Sequence, residues 1–190
     1  MDWLHRVHAR VLMFVCAVVL MGSAMPVQAQ VERTTSDLTG VVRIASTSLQ
    51  DTAVIRYAGT DIAYKAEYTQ QPGTPAATWR LDVYGFAPAP TDLAEAQRVL
   101  IWIDGQRHDV VDTTARTQHL DNEVLEIQSV TLSAALFQGI AAADVVEVTI
   151  GVVEFDMPHP ARADMREIVD RAVSAAASLP ASRRADTRQR

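Results

Sequence analysis

Val99-Leu-Ile-Trp-Ile-Asp-Gly-Gln-Arg-His-Asp-Val-Val111 is the stretch on which the fold turns. Two apolar-rich runs meet at Asp104-Gly105. Asp-Gly accepts the positive φ angles of a two-residue type I′ turn, whose twist matches that of paired strands. Such a turn sets Ile103 opposite Gln106, Trp102 opposite Arg107, Ile101 opposite His108 and Leu100 opposite Asp109. The arriving strand is apolar on both faces, so a cover is expected on each side of it.

The same logic extends toward the N-terminus. Ile62, Tyr64, Ala66 and Tyr68 alternate with Ala63, Lys65 and Glu67. That period of two marks a strand with one wet face. Thr78 to Phe86 alternates again, with Trp79, Leu81 and Val83 opposite Arg80, Asp82 and Tyr84. Gln70 to Thr74 and Pro75 form a loop between them, because two prolines and a glycine break a ladder. Strands are also expected over Val41 to Leu49 and Ala53 to Ala58, with a turn at Ala58-Gly59-Thr60-Asp61. Thr91 suits the cap of a short helical turn after Pro88 and Pro90.

Toward the C-terminus, the segment from Asp112 to Asp121 reads as a loop, followed by a strand from Glu123 to Val130. Thr131 and Ser133 suit the cap of a helix through Leu136, Phe137 and Ile140, ending near Ala143. Val145 to Phe155 is strand, with Gly151 marking a bulge or a tight turn. Pro160 fits the first turn of a last helix. Met165, Ile168, Val169, Ala172 and Val173 then form one apolar stripe at helical spacing. The predicted class is α+β: an antiparallel twisted sheet, partial barrel or sandwich, with one or two covering helices, the last one C-terminal.

The ends differ from this body. Arg6 and Arg10, the apolar run Val11 to Leu20 and the small-residue site Val27-Gln28-Ala29 form a three-part secretory pattern. Cleavage between Ala29 and Gln30 is expected. The apolar run is short for a membrane span, which takes about 20 residues. The expected organisation is a signal peptide over 1–29, a flexible lead-in over 30–39, a single β-rich domain over 40–179 and a disordered basic tail over 180–190. Export by a Sec-type signal implies a periplasmic or extracellular protein, with no stable membrane insertion after cleavage.

Cys16 is the one cysteine, and it lies inside the signal. A processed chain would hold no thiol, disulfide or cysteine metal site. The chain has 17 basic and 23 acidic residues, a net charge of −6. Four arginines sit in the tail, at 183, 184, 188 and 190, so the body is more acidic than the whole. An acidic body argues against a nucleic-acid partner, whose phosphates need a basic face.

No motif carries a reaction. Asp104, His108, Asp109, Asp112, His119 and Asp121 are dense in possible metal ligands. Adjacent His108 and Asp109 leave opposite faces of a strand, and His108 and Asp112 would lie about 13 Å apart along it. No metal and no cofactor are expected. No Gly-x-Ser-x-Gly occurs for a hydrolase, and His159 is explained by entry into the last helix. An enzyme would need two or more of Asp82, Asp109, His108, His119 and Asp121 to converge in one cleft.

Tyr64, Tyr68 and Trp79 lie on apolar faces of neighbouring strands. They are read as core, or as the lining of a ligand groove. The leading expectation is a noncatalytic binding or structural domain of the bacterial envelope or secreted fraction, with an unknown envelope or extracellular partner. The alternatives are a carrier or sensor of a small apolar ligand between sheet and helices, and a hydrolase or metal-dependent enzyme. A cavity lined by Trp79, Trp102 or Phe137 would favour the carrier.

Overall fold

The computed structural model describes residues 30–47, 55–57, 60–74, 76–91 and 93–177, with only the backbone of 55–57. The expected signal through Ala29 and the basic tail lie outside these residues, as do positions 58 and 59 of the expected turn, while Thr60 and Asp61 begin a strand.

The fold is α+β, with two antiparallel sheets and a C-terminal helix. The larger sheet contains β1 (Val31–Thr35), β2 (Val42–Ser46), β3 (Ile55–Tyr57), β4 (Thr60–Gln70), β5 (Ala77–Ala87), β8 (Thr113–His119) and β9 (Val124–Leu132). Its order is β1-β2-β4-β5-β9-β8, and β3 also pairs with β4. The smaller sheet contains β6 (Val99–Ile103), β7 (Gln106–Val110), β10 (Val146–Ile150) and β11 (Val153–Asp156), in the order β11-β10-β6-β7. Helix α1 spans Ala134–Ala142 and α2 spans His159–Ala177.

The Asp104-Gly105 hairpin has the expected register, from Ile103 opposite Gln106 to Val99 opposite Val110. Both turn residues take positive φ, 48° at Asp104 and 83° at Gly105. Asp104 also accepts hydrogen bonds at Oδ1 from the Asp144 and Val145 amides, at 3.1 and 2.9 Å. The turn is thereby tied to the entry of β10. At Gly151 the alternative resolves to a tight turn, with φ 61° between β10 and β11.

One core joins both sheets and both helices. Tyr64, Tyr68, Trp79, Leu81 and Val83 meet Ile101, Val148, Phe137, Met165 and Ile168 in it. Ser133 caps α1, its Oγ accepting from the Leu136 amide. The α2 stripe is buried at Met165, Ile168 and Ala172, while Val169 packs partly against the core. Val173 departs from the expectation and is 60% exposed. It lies at the edge of the stripe, beside buried Ala172.

Four local readings are corrected. Gln30 to Thr39 is not wholly a loose lead-in, since β1 pairs with β2 from Val31 to Thr35. The loop reading over Asp112 to Asp121 is overturned by β8, which pairs with β9 along its full length. Both strands lie at sheet edges, so neither shows the apolar alternation that marks a half-buried strand. The Thr91 segment forms turns rather than a helix, although Thr91 Oγ1 does accept from the Leu93 amide at 3.2 Å. It folds inward, placing Leu93 against Gly85, where an added Cβ would lie 3.3 Å from Leu93 Cδ1. Buried Glu126 holds this loop by accepting from the Thr91 amide at 2.8 Å and from its hydroxyl.

Finally, the outward face of β4 is not uniformly wet. Ala63 and Glu67 are buried there, Ala63 in a small cluster with Tyr84 and Ile127.

Candidate binding site

Tyr64, Tyr68 and Trp79 come together inside the molecule. Each is less than a tenth exposed. The Tyr68 and Trp79 rings meet edge-on at 4.6 Å, and Trp79 lies 4.9 Å from Phe137. Tyr64 meets Phe155 edge-on at 5.6 Å. These distances and tilts are those of aromatic core packing. One polar detail stands out: the Tyr64 hydroxyl is buried with no hydrogen-bond partner among the described residues. Burial pushes its pKa well above the usual phenol value, and the Asp156 carboxylate adds to the rise. Trp102 belongs elsewhere. It is partly exposed and paired with Glu147 and Arg107 in the smaller sheet.

The polar residues considered for catalysis are dispersed. Asp82 lies on the outward face of the larger sheet, with Oδ1 3.1 Å from Arg80 Nε. The pair is close but not aligned as a hydrogen bond. Asp109 pairs with Arg107 on the smaller sheet at 3.2 Å. His108 is opposite Ile101 on the inward side of the same hairpin. His119 ends β8, and Asp121 is exposed in the turn after it. Among the described residues, no three His, Cys, Asp or Glu side chains gather to hold a metal ion.

A charged cluster on the larger sheet centres on Glu67. Glu67 accepts from Arg43 Nε at 2.6 Å and from Arg80 at 3.3 Å. Burial would raise the Glu67 pKa, but the Arg43 hydrogen bond and the two arginine charges bring it below the usual value.

The smaller sheet carries a different feature. The last residues of the β5–β6 connection, Ala96 to Arg98, border its outward face beside a groove of about 340 Å³. Ala96, Arg98, Leu100, Arg107, Thr149 and Gly151 line it, with Gln97 at the loop. Leu100 is flanked by Asp109 and Thr149 in the ladder. This face was expected to be covered because Leu100 and Trp102 are apolar, yet both remain partly exposed. Arg98 makes no ion pair among the described residues, and the one partner of Arg107 there is half-exposed Asp109. The sequence signal for this site was the two-sided apolar character of β6. The contribution of Arg98 from the loop had no such signal.

The fold and groove together define a two-sheet α+β domain with an open, basic-edged surface site. No protein-family model matches the chain, and no curated protein or solved structure is detectably similar to it.

Proposed function

We propose that this chain is an exported, noncatalytic binding or structural domain of the bacterial cell envelope or secreted fraction, and that its contact site is the groove over the smaller sheet. Arg98 and Arg107 beside partly exposed Leu100 and Thr149 are the observation that carries this reading. Two guanidinium groups supply planar donors for carboxylate or phosphate oxygens. Leu100 offers adjacent apolar surface. The partner is therefore an acidic group borne on a partly apolar ligand or protein surface. Export rests on the three-part pattern before Gln30. No described helix is long and apolar enough to cross a membrane.

Backbone amide shifts during titration with inorganic phosphate, and separately with an acidic peptide, test the site. Shifts centred on residues 96–100, 107 and 149 are expected, and they should vanish in an Arg98→Ala/Arg107→Ala variant. Shifts elsewhere, or none with either probe, would remove this reading.

A carrier of a small apolar ligand is the second reading, favoured by the partnerless Tyr64 hydroxyl. A ligand acceptor at that position would satisfy it. The packed Trp79–Phe137 contact supports the first reading over this one.

A further inference from the structure

Among the described residues, strand β8 is paired along one side only. It ends the strand order of the larger sheet, with β9 as its neighbour. Six of its seven residues are exposed, and Thr113 is partly so. Its sequence, Thr-Thr-Ala-Arg-Thr-Gln-His, contains no proline or lysine, and its register with β9 runs without a bulge. Those are among the devices that stop an edge from pairing, and the one charge on the strand is Arg116. Exposed Val111 and Leu120 bracket it.

The ladder shows which backbone groups are unused. Thr131 N–H donates to Asp112 O at 2.9 Å, and Leu120 N–H donates to Glu123 O at 2.8 Å. Hydrogen-bonded pairs recur at every second residue of an antiparallel ladder. The even-numbered positions from 112 to 120 therefore bond to β9. The N–H and C=O groups of Thr113, Ala115, Thr117 and His119 point away from it.

We propose that β8 pairs antiparallel with β8 of a second copy of this chain, about a two-fold axis at Ala115. Opposed residues must face the same side of the joined sheet, so the axis falls on a residue. An axis at Arg116 would oppose two like charges, which destabilises a pair. An axis at Ala115 sets Thr113 opposite Thr117, a favourable cross-strand pair. It also sets Thr114 opposite Arg116 and Asp112 opposite Gln118. Asp112 of one copy then lies diagonal to Arg116 of the other, within reach of a long side chain, and symmetry repeats this contact. Every outward backbone group from Thr113 to Thr117 gains a partner. The interface is isologous and closes as a dimer. It is separate from the groove on the smaller sheet, so neither proposal depends on the other.

Sedimentation of the purified chain should show a weight that rises from monomer to dimer with concentration. Ala115→Pro removes an outward N–H that β9 does not use, a position where an edge strand tolerates proline. It should abolish the dimer and leave the melting temperature nearly unchanged. Cross-linking keeps the test open if that variant folds poorly. In a Cys16→Ser background, Ala115→Cys places two thiols on residues whose Cα atoms are about 5.5 Å apart, within disulfide range. Mild oxidant should link it much faster than Thr114→Cys, whose copies lie further apart. A monomer at all concentrations, a dimer insensitive to proline at 115 in a folded chain, or equal cross-linking at 114 and 115 would overturn the proposal. A monomer that instead binds an extended peptide along β8 would overturn it too.

Discussion

The two ends of the larger sheet are built from similar exposed strands, and they differ in what meets their first residues. At the β1 end, Ser36 N–H bonds to Val41 O, and Thr47 N–H bonds to Gln30 O. The same alternation then turns the Val31 carbonyl away from β2. Helix α2 covers that group: Arg171 Nη1 donates to Val31 O at 2.9 Å, and Asp164 accepts from the Gln30 amide at 3.0 Å. Among the described residues no helix side chain bonds to the backbone of β8, and its outward groups run along an exposed strand. An edge is thus a local property. One outward group of β1, the Val31 carbonyl, is closed by a side chain of α2, while the rest of that strand is exposed like β8.

The comparison breaks most severely if α2 cannot dock. Ile168 is fully buried, and Ile168→Asp would put an unpaired carboxylate in the core. A loss of several kcal/mol or outright unfolding is expected in denaturant titration. Glu167→Ala, on the partly exposed side, should change stability by about 0.5 kcal/mol or less. Equal losses from the two variants would mean that α2 does not close this end.

A smaller effect belongs to neither end. Gly105→Val forces a β-branched residue toward φ 83°, at a cost of about 1–3 kcal/mol. Thermal unfolding should fall by several degrees while the concentration dependence of sedimentation is unchanged. A change in self-association would implicate the hairpin in the interface and blur the distinction between the ends.

How much of this was legible in the sequence follows from burial. Strands β4 and β5, the β6–β7 hairpin and the α2 stripe announce themselves because one face of each is buried. Alternation or helical spacing then records that face. Strands β1 and β8 do not, because exposed edges place no apolar demand on either face. The loop carrying Leu93 was equally hidden, since its inward fold depends on the space at Gly85 and on Glu126, which is distant in the chain. Tyr64, Tyr68 and Trp79 were legible as an apolar face, and they pack in the core. The groove was only half legible, through β6. Position 98 reads as an ordinary loop arginine until the fold sets it beside Leu100 and Arg107.

The closure of β1 can be weakened without disturbing the core. Arg171 holds Val31 O and also pairs with Glu167 at 2.7 Å. Both contacts are partly exposed, so Arg171→Ala should cost about 0.5–1.5 kcal/mol, the net value of an ordinary hydrogen bond. Amide exchange should rise at residues 31–35 and 42–46 but not at 113–119. Uniform exchange changes at both ends would show that α2 acts on the whole sheet.

The smallest expected effects are pH-dependent, and they have opposite signs in two carboxylates. Burial raises the Asp164 pKa above the ordinary aspartate value of 3.8, with the Gln30 hydrogen bond opposing the rise. Its folded state therefore holds the proton more tightly than the unfolded chain. Its stabilising contribution is full below pH 3.8 and is lost as pH rises through the folded pKa. Glu67 behaves in reverse. Despite burial, its arginine partners lower its pKa below 4.5, so its contribution is full above that pH and is lost as pH falls through the folded value. Asp164→Asn keeps an acceptor for the Gln30 amide and removes the ionised form. It should melt above the parent at neutral pH, and the gain should vanish in acid. Glu67→Gln should melt below the parent at neutral pH, with that deficit shrinking in acid. Melting curves across this range separate the two, because the difference from parent is positive for one variant and negative for the other. A negative difference for Asp164→Asn at neutral pH would mean that the charge of Asp164 holds the β1 end, and that α2 closes this edge through the charge as well as the hydrogen bond.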